Sequence, residues 1–294
     1  MLLYPNCKIN LGLRVVRKRA DGYHDLETIF VPIYGLHDEL EVVKRTDRYT
    51  DRAQSTDLFT FQQEGIAVDC KAEDNLIIRC YMQMAAKYPQ IGPVAIRFKK
   101  NIPFGAGLGG GSSDAAHMAI ALNELFQLGL SKEQLAEEVK PLGADCPFFI
   151  YNTPCYAEGI GDKLTPIALH LTDTRIILIK PDEGVSTKEA YSGLKLKGER
   201  LTIKGNIVAE DITSTLFVND FEESVFPKHP IIGEIKKRLL DAGAYFASMS
   251  GSGSTVFGLF KNDPEGCTDA QLRALKEEFA SMVLLDDSFG EWKS

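Results

Sequence analysis

Apolar residues recur along the chain at two spacings, and each spacing predicts its own kind of element. In CKINLGLRVV, Cys7, Ile9, Leu11, Leu13 and Val15 fall on one face of a strand, and Lys8, Asn10, Gly12 and Arg14 share the other. LETIFVPI and DELEVVK read as further strands, and VAIRFKKNIP alternates again with Val94, Ile96 and Phe98 on one face. EDNLIIRCYMQMAAKY opens with capping residues and runs on apolar at helical spacing. A helix of small residues is expected from about Ser113 to Leu128. Ser131 and Gln134 form a capping box for the next helix, which ends near Gly143, and CPFFIYN reads as a short strand. The polar, weakly patterned run from about Arg45 to Gly65 predicts a hairpin or a surface excursion.

After about residue 160 the pattern changes. TRIILIKP is a buried strand, and Ser186 with Glu189 opens a short helix through a second capping box. PIIGEIKKRLLDAGA is an amphipathic helix stopped by Gly243. YFASMSG and STVFGLF are strands on either side of a Gly-Ser-Gly-Ser turn; a helix from Asp269 to Met282 and the strand MVLLD follow. Strands and helices mixed in this way predict an α+β fold rather than a doubly wound sheet. The change of pattern divides the chain into domains 1–160 and 161–294.

A length of 294 residues suits one large or two medium domains, and 44% hydrophobic with 25% charged residues is an ordinary globular balance. The net charge of −8 and a pI of about 5.3 argue against a nucleic-acid or anionic-membrane partner. An anionic substrate would then need a local basic patch. The six cysteines, Cys7, Cys70, Cys80, Cys146, Cys155 and Cys267, show no CxxC spacing, and the five histidines show no metal-ligand spacing. Reduced core thiols are expected. MLLYPNCKIN lacks the cationic and apolar regions of a leader, and no apolar run approaches the ~18 residues of a membrane span. A cytoplasmic protein is expected.

The candidate chemistry centres on PFGAGLGGGSSDAA, with five glycines among the seven residues from Gly105 to Gly111. Glycine supplies positive φ and lets another group approach the backbone, at a cost of roughly 0.5–1 kcal/mol each against alanine. Three readings compete. The stretch can be only a tight connection. Gly105, Gly107 and Gly110 also match the GxGxxG of dinucleotide sites, yet the second strand with its acidic end is missing, since Leu130, Ser131 and Glu133 begin a capped helix. The third reading is a phosphate cradle, in which a glycine loop and the Ser112–Ser113 helix start aim free N–H groups at one place. No GxxxxGK followed by Ser or Thr occurs, so it is not a Walker loop.

PFGAGLGGGSSDAA resembles the second signature motif of the GHMP kinase superfamily, SMSGSGSTVFGLF its third and CKINLGLRV its first. DGYHDLETIF, EDNLII and LGADCPFFI extend the likeness, in order, from Pro5 to Phe257. The resemblance implies two domains, a ribosomal-protein-S5-like N-terminal half and a ferredoxin-like C-terminal half, with ATP and substrate meeting in a cleft. It implies ATP-dependent phosphorylation, with Mg²⁺ screening the phosphates, of a hydroxyl on a small molecule that carries a cytidine diphosphate group. A monomer or weak homodimer is expected.

By this resemblance Pro103, Phe104, Gly105, Ala106, Gly107, Leu108, Gly109, Gly110, Gly111, Ser112 and Ser113 wrap the triphosphate, and Asn75 and Lys100 lie near adenine and ribose. The serines can equally cap the helix, Asn75 can cap the one before it, and Lys100 can be a charge on a solvated strand end. Lys8 and Asp145 are implied as the catalytic pair, with Asn10 beside the reacting hydroxyl. Read locally, Lys8 and Asn10 share a strand face, while Asp145 is a turn residue before Cys146-Pro147. Tyr23 and Tyr191 are implied to sandwich the cytosine, with His24 and Thr187 in the same pocket; packing residues are the plainer reading. Gly251, Ser252 and Gly253 form a turn that lets two loops pack closely. No metal ligand is assigned. A homoserine, mevalonate or sugar kinase would share the loop without needing the aromatic pocket, and a nucleotide-binding protein without turnover would not need Lys8 and Asp145.

Overall fold

The computed structural model describes residues 1–45, 58–67, 74–201, 206–262 and 269–290. In chain order they begin with β1 (Leu2–Leu3), β2 (Asn6–Lys18), β3 (His24–His37), β4 (Glu39–Lys44), β5 (Phe59–Gly65), α1 (Leu76–Lys87) and β6 (Val94–Lys100). Next come α2 (Gly110–Leu125), α3 (Lys132–Val139), α4 (Cys146–Tyr151), β7 (Cys155–Glu158), β8 (Lys163–Pro166), β9 (Leu169–His170) and β10 (Thr174–Ile179). The remainder is α5 (Thr187–Ser192), β11 (Ile207–Val208), α6 (Phe221–Val225), α7 (Pro230–Asp241), β12 (Phe246–Met249), β13 (Val256–Lys261), α8 (Asp269–Glu278) and β14 (Val283–Ser288).

Contacts within the molecule group these elements into two compact units. One holds residues 1–7, 36–104 and 109–152; the other holds 8–35, 105–108 and 153–294. The units are interleaved in sequence, because β2 and β3 contribute most of their length to the second while β4 begins within the first.

In the first unit, β1, β4 and β6 are antiparallel neighbours and β5 joins β6 in parallel. The alternation in β6 has its expected effect: Val94, Ile96 and Phe98 are all buried. Asn75 caps α1 by accepting from the Ile77 N–H, and Ser131 with Gln134 makes a full capping box on α3. Ala115, Ala116, Ala119 and Ala121 of α2 are buried, and their small side chains let α1, α4 and β4 approach that helix closely. Cys80 and Cys146 are free and buried, and burial pushes the Cys146 thiol up to about 12. Cys70, Cys267 and most of the polar run, residues 46–57, lie outside the described residues; the end of that run is β5.

Two expectations about this unit need correction. CPFFIYN is not a strand: Cys146–Tyr151 is helix α4 with Pro147 in its first turn, where proline's missing N–H has no intrahelical partner to lose. Helix α2 starts at Gly110 rather than Ser113, and its N-cap is Gly109 in the left-handed region with no side-chain cap. Neither Ser112 nor Ser113 caps it.

The second unit contains the sheet β2-β3-β7-β8 and the antiparallel sheet β12-β13-β10-β14. β9 and β11 form a short parallel pair. Ile232, Ile235 and Leu239, at helical spacing on α7, pack into a core with Leu13, Val15, Ile177, Ile179, Met249, Val256 and Phe260. Each such side chain contributes about 1.5–3 kcal/mol by leaving water. Gly243 stops α7 at φ +99°. The Ser186 side chain accepts from the Glu189 N–H, but the Glu189 carboxylate turns to His229 instead of completing the box.

Candidate active site

The glycine loop is held by its carbonyls. Ala106 and Leu108 are buried and anchor it, while Phe104 is exposed. Thr255 N–H donates to the Ala106 carbonyl at 3.2 Å, and Lys8 N–H donates to that of Leu108 at 3.0 Å. The carbonyl of Gly107 between them receives the Lys8 ammonium at 3.2 Å and the Ser250 hydroxyl at 3.0 Å. Three consecutive carbonyls are thus committed to the protein. Gly105, Gly107 and Gly109 all have positive φ, at 64°, 75° and 71°. At Gly107 glycine is also required sterically, because a Cβ would lie 2.1 Å from the Ser250 carbonyl oxygen.

The turn it meets is the Gly-Ser-Gly-Ser segment between β12 and β13. Gly251 has φ +57°, and a Cβ there would lie 3.2 Å from the Gly107 oxygen. Asn219, buried and not singled out by its sequence context, ties this turn down by donating to the carbonyls of Met249 at 2.7 Å and Gly251 at 2.9 Å. Nothing in its spacing marks Asn219; its role comes from a strand bridge to Leu13 that brings distant segments together. The two glycine turns therefore pack backbone to backbone.

Lys8 and Asn10 do share a strand face, and both are buried, at 3% and 2% exposure. The Lys8 ammonium donates to Asn10 Oδ1 at 2.6 Å and sits 5.0 Å from the centre of the Phe30 ring. Asn10 donates onward to Thr28 Oγ1 at 3.1 Å, and its backbone N–H donates to Ser250 Oγ at 3.2 Å. Burying an ammonium is costly unless acceptors support it, and Asn10 Oδ1 and the Gly107 carbonyl do so here.

In the first unit, the start of α2 presents first-turn N–H groups that have no intrahelical acceptor. Gly110 is buried, Gly111 and Ser112 are half-buried, and Ser113 is fully buried with its hydroxyl 3.3 Å from His117 Nδ1. Lys100 is not a solvated strand-end charge: it is 3% exposed and ion-paired with Asp38 and Asp114. Asp145 is half-buried at the N-cap position of α4, with φ −81° and ψ −13°. It belongs to the first unit and Lys8 to the second.

The aromatic residues are arranged less symmetrically than a sandwich of Tyr23 and Tyr191 would suggest. Tyr23 is 62% exposed, and it is His24 that stacks on Tyr191, with ring centres 4.5 Å apart. Phe221 meets Tyr191 edge-on at 4.7 Å. Burial, and then the charge of Lys18, hold the His24 imidazole below the usual histidine range. Thr187, at the start of α5, lies 3.4 Å from Ser252 Oγ, which brings the aromatic helix to the glycine turn. His229 joins from α7, with Nδ1 2.7 Å from Glu183 and Nε2 3.2 Å from Glu189.

The free amides at the start of α2 suit an anion with several oxygens. Among the described residues, no group of three or more His, Cys, Asp or Glu could hold a metal ion.

Residues 75–153 match the model of the GHMP kinases N terminal domain, and residues 205–279 match GHMP kinases C terminal. A protein of Bacteroides thetaiotaomicron named 4-diphosphocytidyl-2-C-methyl-D-erythritol kinase is 48% identical over 267 residues, 90% of this chain and 93% of its own. A protein of the same name from Bacteroides fragilis is 46% identical over 262 residues, 88% of this chain and 92% of its own. A crystal structure of 4-(cytidine 5'-diphospho)-2C-methyl-D-erythritol kinase superposes with a TM-score of 0.77 at 30% identity, covering 99% of this chain and 100% of that one.

Proposed function

The chain belongs to the GHMP kinases, ATP-dependent kinases of small molecules, and on that premise we propose that it phosphorylates the 2-hydroxyl of 4-diphosphocytidyl-2-C-methyl-D-erythritol in non-mevalonate isoprenoid synthesis. One observation carries the choice of substrate: relatives 46–48% identical over about nine-tenths of both chains bear that substrate in their names. The stack of His24 on Tyr191 supports it, since a nucleobase needs aromatic faces that homoserine, mevalonate or a sugar would not use.

Phosphoryl transfer asks for positioning and charge neutralisation more than for covalent chemistry. In this reading the segment Pro103–Ser113 wraps the triphosphate with its amides, and Asn75 and Lys100 lie toward the nucleoside. Magnesium would be held by the phosphates and would offset their charge. The Lys8 ammonium, fixed by Asn10 and the Gly107 carbonyl, offsets charge spreading over the transferred group. Asp145 accepts the proton of the attacking hydroxyl and orients it. Tyr23, His24, Thr187 and Tyr191 hold the cytidine end, and Gly251, Ser252 and Gly253 form the floor beside the loop.

The same reading divides the chain near residue 160, with one family match on each side, at 75–153 and 205–279. It includes a cytoplasmic enzyme acting as a monomer or weak homodimer. Buried cysteines at Cys7, Cys80, Cys146 and Cys155 suit a reducing compartment. No helix among the described residues is long and apolar enough to cross a membrane.

Incubation with Mg-ATP and a panel of alcohols, followed by ADP release, tests the assignment. Turnover with the cytidine diphosphate substrate alone is expected. Turnover with homoserine, mevalonate or a simple sugar, and none with the cytidine compound, would overturn it.

A further inference from the structure

Beneath the helix start lies a buried cluster with two carboxyl groups that the reaction above does not use. Lys100, at the end of β6, points its ammonium at two carboxyl groups, Asp38 from the β3–β4 connection and Asp114 from the first turns of α2. Asp38 is 0% exposed and saturated with donors: Oδ2 accepts from Lys100, and Oδ1 accepts from the N–H groups of Asn101 at 2.6 Å and Ile102 at 2.8 Å. Asp114 is 4% exposed; its Oδ2 accepts from Lys100 at 2.9 Å, while its Oδ1 is buried without a donor.

Two carboxylates on the one Lys100 ammonium would bury a net negative charge, and a single proton on the pair removes it. With three donors Asp38 is the better-supported anion, so the proton belongs on Asp114. Burial pushes the Asp114 carboxyl well above the usual carboxylate range; Lys100 opposes this and Asp38 adds to it. His117, on the next turn of α2, is kept toward its neutral form by burial.

The cluster abuts the helix start. A Cβ on Gly110 would lie 3.0 Å from Lys100 Nζ and 2.9 Å from Ile102 Cγ2. We infer that Asp114 is a positioning residue held as the neutral acid: as an uncharged acceptor it holds the Lys100 ammonium under Gly110 and adds no negative charge to the helix end that meets the nucleotide. The functional half of this inference rests on the reading of Pro103–Ser113 as the triphosphate loop. An ionised aspartate near a helix N-terminus normally suits the helix dipole, but here it would repel the phosphates that the same dipole attracts.

Carbon-13 NMR of the aspartate-labelled, unaltered chain reads the proton directly. The expected result is one carboxyl signal that stays protonated well above the ordinary aspartate range and is lost in Asp114→Asn. An ionised Asp114 at neutral pH overturns the inference. Calorimetric titration with Mg-ATP reads the positioning: affinity should stay within about threefold in Asp114→Asn, which keeps a neutral acceptor for Lys100, and fall about tenfold or more in Asp114→Ala. Equal loss in both variants would show that the negative charge is what matters, and would also overturn it. If the unaltered chain bound no Mg-ATP, the phosphate-loop reading would fall, and the NMR result would still decide where the proton lies.

Discussion

The Lys8 ammonium and the Ser250 hydroxyl donate to the same atom, the carbonyl oxygen of Gly107, at 3.2 and 3.0 Å. One residue comes from the first strand of the second unit and the other from the turn after β12, so a single peptide group joins three segments that are far apart in sequence. The consequence is that the loop's shape and the position of the lysine are set together.

Gly107 and Gly105 separate steric need from conformational need. Both have positive φ, but a Cβ at Gly107 would strike the Ser250 carbonyl, while at Gly105 it would meet nothing within 4 Å. Gly105→Ala should therefore cost only about 1–2 kcal/mol of backbone strain and leave ATP affinity nearly intact. Gly107→Ala has to displace the turn at Ser250 and should cripple both ATP binding and turnover. Thermal melts and nucleotide titrations of the two variants check this, and equal behaviour would refute the steric argument.

Tyr191 is supported on one face by His24 and on its edge by Phe221. If the aromatic group receives cytosine, Tyr191→Phe should be mild, and Tyr191→Ala should weaken the cytidine substrate by about 1–3 kcal/mol, the range of base–aromatic stacking. ATP affinity should hardly change. Titration of both ligands decides it, since equal losses for substrate and ATP would mark Tyr191 as a packing residue.

Local pattern made most of the strands and caps legible. Cys7 to Val15 alternate because the apolar face packs against other apolar residues, while Lys8, Asn10 and Arg14 on the other face are buried with polar partners, and Asn75 or Ser131 caps its helix through atoms two or three residues away. The errors have a common cause, which is pairing over long sequence distance. Lys100 looks like a solvated strand end until Asp38, 62 residues earlier, is folded against it. Asn219 looks like any turn residue until it reaches Gly251. Pro147 was ambiguous for another reason: proline ends an extended segment and starts a helix equally well, and only the packing of Phe148 and Phe149 into the first unit favours the helix.

Lys8 and Asp145 carry the proposed chemistry, and their variants should fail in turnover rather than in binding. Asp145→Asn keeps the shape and removes the proton acceptor, which should lower kcat by about 10²–10⁴ while substrate binding stays within a few-fold. Lys8→Met should lower kcat as well, and should also loosen the loop, because the ammonium holds the Gly107 carbonyl. If the two act as one unit, the double variant should lose far less than the product of the single losses. Steady-state kinetics on the three variants, with folding checked by circular dichroism, gives the answer; near-parental turnover in Asp145→Asn would remove that residue from the mechanism.

His229 gives the aromatic helix a dependence on pH. Its two ring nitrogens meet Glu183 and Glu189, and these carboxylates raise the imidazole above its ordinary range, Glu183 most strongly, against a smaller opposing effect of burial. A histidine raised in the folded state contributes stability that is fully present below the unfolded histidine range and is lost as pH rises through the folded value. Both carboxylates are partly exposed, so solvent screening keeps the contribution to about 0.2–1 kcal/mol. The link to function is positional: Glu189 lies on α5 between Thr187 and Tyr191, and the Glu183 carbonyl receives the Ser254 hydroxyl at 2.6 Å. Protonated His229 thus ties α5 and the segment before it to the start of α7. His229→Gln should lower the melting temperature most at mildly acidic pH and progressively less above neutrality. KM for the cytidine substrate should follow the same course, with the parent and the variant converging at high pH. A difference in melting temperature that grows with pH would have the wrong sign for this clamp and would exclude it.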